Sequence, residues 1–128
     1  MKKMIPKFRA WDKNTNDMVN VKTIDLEKDG SIGCIVDYSG INLDVSECVL
    51  MQSTGLKDKN GVEIFEGDVL YYIPFESHIN DSIVVFEKGS FCTEMLRNGK
   101  LTSVKFIDSE EYEVIGNVWD NPELLEGN

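Results

Sequence analysis

The chain has one histidine and three cysteines in 128 residues, and that scarcity removes much chemistry. A nucleophile–base pair reduces to His78 with Cys34, Cys48 or Cys92. Such a pair also needs an orienting third group and an oxyanion site. No helix N-terminus marks any cysteine as activated. The cysteines lie 14 and 44 residues apart with no C-x-x-C pair, so a structural zinc site lacks its ligand spacing. Three reduced, mostly buried thiols are expected. Neither Asp12 to Asp17 nor Asp108-Ser109-Glu110-Glu111 has the alternating oxygens and closing Glu of a calcium loop. There is no P-loop and no G-x-G-x-x-G. No apolar run approaches the ~20 residues of a membrane helix, and the basic Met1 to Lys7 leads into no apolar signal core. The expectation is a cytoplasmic protein with no catalytic residues, no metal, no cofactor and no membrane association. Even so, a Cys–His hydrolase is the enzymatic alternative.

Basic residues are scarce outside the N-terminus. Residues 1–22 carry six bases against two acids, or +4, and residues 23–128 carry seven bases against twenty-one acids, or −14. From Ile107 onward there are seven acids and no base. Nucleic-acid affinity comes from Lys and Arg neutralising phosphates, so such a body does not favour it. The basic N-terminal strand is expected to pair with the acidic remainder, within one chain or between subunits.

What is present is strand chemistry. Lys7-Phe8-Arg9-Ala10-Trp11 alternates, Met18 to Val21 restarts a strand, and Thr23 to Glu27 alternates strictly. Asp29-Gly30 marks a hairpin into Ile32 to Tyr38, and Ser39-Gly40 another turn. Leu43 to Leu50 reads equally as strand or as one helical turn capped by Asp44. Val69 to Pro74, Ile83 to Glu87, Phe91 to Leu96, Leu101 to Ile107 and Tyr112 to Trp119 are further strands, the third and fourth joined by an Asn98-Gly99 turn. Phe75 to Ser82 is a polar loop. Asn121-Pro122-Glu123 opens one short helical turn. Strands at about ten-residue spacing suggest a small barrel or sandwich, and the aromatic residues beside them are expected in the core or a subunit interface.

The densest stretch is "MQSTGLKDKNGVEIFEGDV", Met51 to Val69. Asn60-Gly61 suits positive φ, Glu66-Gly67-Asp68 is a second turn, and Val69 to Ile73 then runs into a core. A short strand, an E-G-D turn and a hydrophobic strand resemble the opening of an SH3-like small barrel. Together with "KFRAWD" at Lys7 to Asp12 and "VIGNVWDNPELL" at Val114 to Leu125, the chain resembles the YopX family of phage and prophage proteins. Ser53 stands where an aromatic is usual in that family, and Phe65 where Tyr is usual.

The resemblance implies a mainly β protein: an N-terminal β subdomain over 1–50, and an SH3-like small barrel with a C-terminal helical turn over 51–128, with one shared core or an α+β fold as alternatives. It also implies a phage or prophage origin and a homo-oligomer, and no activity or site residue. The function expected is a soluble, non-enzymatic protein-binding module of a host bacterial cytoplasm, whose partner is a phage or host protein. The alternatives are a nucleic-acid-associated protein using the barrel, and an acidic mimic of nucleic acid that occupies a host DNA-binding protein. The binding candidates are Lys7, Arg9 and Trp11 on the first strand, and Lys57 and Lys59 in the loop of the dense stretch.

Overall fold

Alternating and β-branched sequence becomes antiparallel strand wherever the chain is described. The structure, a computed structural model, describes residues 7–75, 78, 81–97, 99, 101–103 and 108–125. The chain divides into two compact units, the first ending at Gln52 and the second beginning at Ser53. The fold is mainly β, with two antiparallel sheets. The α+β alternative falls, because the described residues hold 3-10 turns and no α-helix.

In the first unit β1 (Phe8–Asp12), β2 (Asp17–Leu26), β3 (Ile32–Asp37) and β4 (Asn42–Asp44) pair in succession. The first half of β5 (Cys48–Lys57) pairs with the other side of β1, Phe8 facing Gln52 and Asp12 facing Cys48. Cross-strand neighbours on one side of a pleated sheet contact each other. Ala10 therefore meets Val19 and Leu50, Ile35 meets Ile24 and Leu43, and with Cys48 they form one apolar core. The ambiguous Leu43 to Leu50 is strand, turn and strand in succession. Asp44 ends β4 and accepts from Ser46 N–H, while Glu47 returns a side-chain oxygen to the Asp44 N–H. This capping box closes the 3-10 turn Val45–Glu47.

In the second unit β6 (Glu63–Phe65) pairs with the later half of β5. Strands β7 (Asp68–Tyr72), β8 (Ser82–Glu87), β9 (Ser90–Met95), β10 (Leu101–Ser103) and β11 (Tyr112–Asn117) form a sheet in the order β10-β9-β8-β7-β11. Its core is Ile64, Leu70, Val84 and Phe91, with Leu56, Tyr112 and Val114 against it. Lys88 and Gly89, with φ of 51° and 80°, form the tight turn between Glu87 and Ser90. The turn Pro122–Leu125 follows Asn121, as the Asn-Pro pattern predicts. Val104 to Ile107 of the expected fourth strand, half of the Phe75 to Ser82 loop (76, 77, 79 and 80), and Asn98 lie outside the described residues.

One turn design occurs in both units. In Asp37-Tyr38-Ser39-Gly40-Ile41, the Asp37 N–H donates to Ile41 O (3.0 Å) and the Gly40 N–H to Asp37 O (3.1 Å). The carboxylate Oδ1 accepts from Ser39 N–H and Ile41 N–H, both at 2.9 Å. Asp58-Lys59-Asn60-Gly61-Val62 repeats it: Asp58 N–H to Val62 O (2.8 Å), Gly61 N–H to Asp58 O (3.0 Å), and Oδ1 taking Asn60 and Val62 N–H. Positive φ falls on Gly40 (90°) and Gly61 (80°) and not on Asn60, so this is a three-residue loop closed by a left-handed glycine.

These bonds make the first unit sensitive to acid. The Ile41 N–H, with the Ser39 hydroxyl, holds the Asp37 carboxyl below the usual range. The Ser31 hydroxyl does the same to Asp29, and the Ser46 hydroxyl to Asp44. A carboxyl depressed in the folded state contributes stability above its unfolded pKa of about 3.9, and that contribution is lost as pH falls through the folded value. Thermal midpoints of the protein and of Asp37→Asn are expected to converge between pH 5 and about pH 3. A gap that stays constant with pH overturns this assignment.

Candidate functional site

The Asp58 turn is held at both ends. Asp58 is 4% exposed, and its second oxygen, Oδ2, accepts from Val114 N–H at 2.9 Å. The Lys59 N–H donates to Tyr112 O at 3.0 Å, a second tie to β11. Before the turn, Thr54 Oγ1 donates to Ile64 O (2.8 Å), and the Ser53 hydroxyl donates to the Glu63 carboxylate. Ser53, in the usual aromatic's place, is thus a buried hydrogen-bonding residue. After β6, Asp68 Oδ2 accepts the Phe65 N–H (2.8 Å) and fixes the E-G-D turn. Lys57, Lys59 and Val62 stand exposed on this braced backbone.

The other binding candidates separate. Lys7 is exposed, but Arg9 and Trp11 are 9% and 7% exposed. The reason is topological: β1 lies between β2 and β5, not at an edge, and both of its side-chain rows are covered. Arg9 and Trp11 therefore present little surface to a partner, and charge reversal at Arg9 perturbs folding before binding.

His78 is better placed than its sequence suggests. Its ring Nδ1 lies 2.8 Å from Asp81 Oδ2, and its centroid is 4.8 Å from that of Tyr71. The imidazole side chain is 68% exposed, while Asp81 is buried. Burial pushes the Asp81 carboxyl up, against the hydrogen bond from His78, which lowers it. A carboxylate orienting an imidazole is two-thirds of a hydrolytic triad. Among the described residues, however, no hydroxyl or thiol is bonded to His78. The Cys34 thiol donates to Asp25 Oδ2 (3.4 Å), and desolvation, then Asp25, then Asp44 and Glu27 keep it protonated. Burial also raises Cys48. Among the described residues no group of three or more His, Cys, Asp or Glu is arranged to hold a metal ion. No helix among them is long and apolar enough to cross a membrane.

The strand order and these turns run through the whole described chain, and so does the sequence match: the profile of the YopX protein family matches residues 7–126. The chain belongs to the YopX family. Among solved structures, protein EF1440 from Enterococcus faecalis is 34% identical, with a TM-score of 0.73 over 96% of this chain and 99% of that one. Protein yopX from Bacillus subtilis is 22% identical, with a TM-score of 0.64 over 92% of this chain and 96% of that one, which shows a shared fold. No curated protein matches the chain. YopX membership carries the fold, so function rests on the chemistry of the surface.

Proposed function

We propose that this YopX protein is a non-enzymatic protein-binding module and that the Asp58 turn is its contact surface. The supporting observation is a braced loop: Lys57, Lys59 and Val62 are exposed on backbone that Asp58 ties to itself and to Val114. A pre-ordered loop loses little entropy on binding, and loops on rigid scaffolds commonly carry recognition. Two lysines beside an apolar side chain suit an acidic protein surface with one apolar contact. The partner is a phage or host protein of the bacterial cytoplasm.

A nucleic-acid-associated role would use the same lysines as phosphate contacts. It is disfavoured by charge, since residues 53–128 hold six bases against fifteen acids, a net −9. The same charge is what an acidic mimic would use, through the seven acids after Ile107. Affinity purification from host cells separates the three readings. The protein is expected to retain a partner that Lys57→Glu with Lys59→Glu loses at least tenfold, with an unchanged thermal midpoint. Equal capture by protein and variant overturns the contact surface. A salt-sensitive shift of DNA or RNA supports the nucleic-acid role, and a captured DNA-binding protein indifferent to the two lysines supports the mimic.

A further inference from the structure

We infer that Asn60 is a site of spontaneous deamidation and that the Asp58 turn sets its rate. Asn60 is exposed, and among the described residues nothing bonds to its side-chain amide. Gly61 follows it without a side chain to obstruct approach, and nothing lies within 4 Å of where a Cβ would stand. The other described asparagines are less apt. Asn14 and Asn117 donate their amides to Glu47 and Asp120 (2.8 and 3.1 Å). Asn121 precedes a proline, which has no N–H, and Asn16, Asn20 and Asn42 precede residues with side chains.

The reaction needs only the chain and water. The Gly61 nitrogen gives up its proton and bonds to the side-chain carbonyl carbon of Asn60, and ammonia leaves. The five-membered imide then takes up one water and opens to an aspartyl or isoaspartyl residue. The turn opposes the first step. Gly61 N–H donates to Asp58 O at 3.0 Å, which holds the proton that must leave. Asp58 Oδ1 grips the N–H groups of Asn60 and Val62 on either side, so the nitrogen reaches the side chain only when the turn opens. The rate therefore follows the open population of the turn.

The effect of the product rests on the reading of this turn as the contact surface. Either product carries a carboxylate beside the exposed Lys57 and Lys59, and the isoaspartyl form adds a backbone methylene inside the loop that closes between Asp58 and Val62. Complementarity to an acidic partner is lost, so the surface loses its partner as the protein ages.

Peptide mass spectrometry of the protein alone, aged in mildly alkaline buffer, tests the inference. Asn60 is expected to convert, and more slowly than in the urea-unfolded chain. Asp58→Ala is expected to convert roughly tenfold faster than wild type, the effect on turn opening of losing one bond to a charged acceptor. Gly116→Ala weakens the same unit but leaves the Asp58 bonds in place, and is expected to match wild type. Asn60→Gln, whose longer side chain closes a ring far more slowly, is expected to keep its mass and, after ageing, its partner. No conversion at Asn60, equal rates in wild type and Asp58→Ala, or a Gly116→Ala rate equal to that of Asp58→Ala each overturns the inference. Fresh protein that captures no partner overturns the contact surface instead, and leaves the mass result standing.

Discussion

Asp58→Ala is expected to lower the free energy of unfolding by about 3 kcal/mol, the largest effect of any single polar substitution proposed for this chain. The carboxylate accepts three backbone N–H groups, from Asn60 at 2.8 Å and from Val62 and Val114 at 2.9 Å. Two of these bonds close the turn, and the third joins it to β11. A bond to a charged acceptor is worth about 1.5–3 kcal/mol, but exposure of the turn lets water replace part of the loss. Asp58→Asn retains one oxygen for Asn60 and Val62 and sets an NH₂ group against the Val114 N–H, so it is expected to cost about half as much. Urea titrations should show two lowered midpoints with an unchanged slope. If Ala and Asn variants unfold together, the divided use of the two oxygens is wrong.

Gly116→Ala is expected to cost about 1–3 kcal/mol. Gly116 sits at the register shift between β11 and β7. A Cβ there would lie 2.5 Å from Asn121 Oδ1 and 3.0 Å from Leu124 Cδ1. Retreat of the Asn121 side chain would give up the bond that its Oδ1 accepts from Asn117 N–H at 3.3 Å, a bond that ties it to the surrounding turn. Asn121 N–H donates to Asn117 O (2.9 Å), Leu124 N–H to Asn121 O (3.0 Å), and Asn117 Oδ1 accepts from Trp119 and Asp120. The methyl group therefore displaces the turn over 117–125 as one piece. Limited proteolysis should cut there faster, the thermal midpoint should fall by several degrees, and Trp119 emission should shift. Wild-type resistance to protease with unaltered emission would mean that the turn accommodates the methyl.

How legible each feature is in sequence follows from the distance over which its cause acts. Asp44 and Asn121 announce their turns because a cap bonds to an N–H only a few residues ahead. Gly61 likewise marks its loop, although Asn60 beside it stays out of the left-handed region, since Asp58 already closes a type I turn before the glycine. Arg9 and Trp11 are different. Alternation tells which face a side chain takes, but the covering of β1 depends on β5, some forty residues away. The bond from Val114 to Asp58 spans 56 positions, and no local pattern carries it. Asp81 beside His78 is close in sequence, but its burial is a tertiary fact.

That 56-residue separation also orders events during synthesis. Chains emerge N-terminus first, and closing a long loop costs more entropy than a short one. Strands β1 to β4 find partners among their immediate neighbours, and the first half of β5 completes their sheet once Gln52 is clear. In the second unit β7 to β10 also pair in sequence, but one side of β7 belongs to β11. A chain stalled before Tyr112 thus presents that side of β7 unpaired, a bare strand on which a neighbouring nascent chain can add.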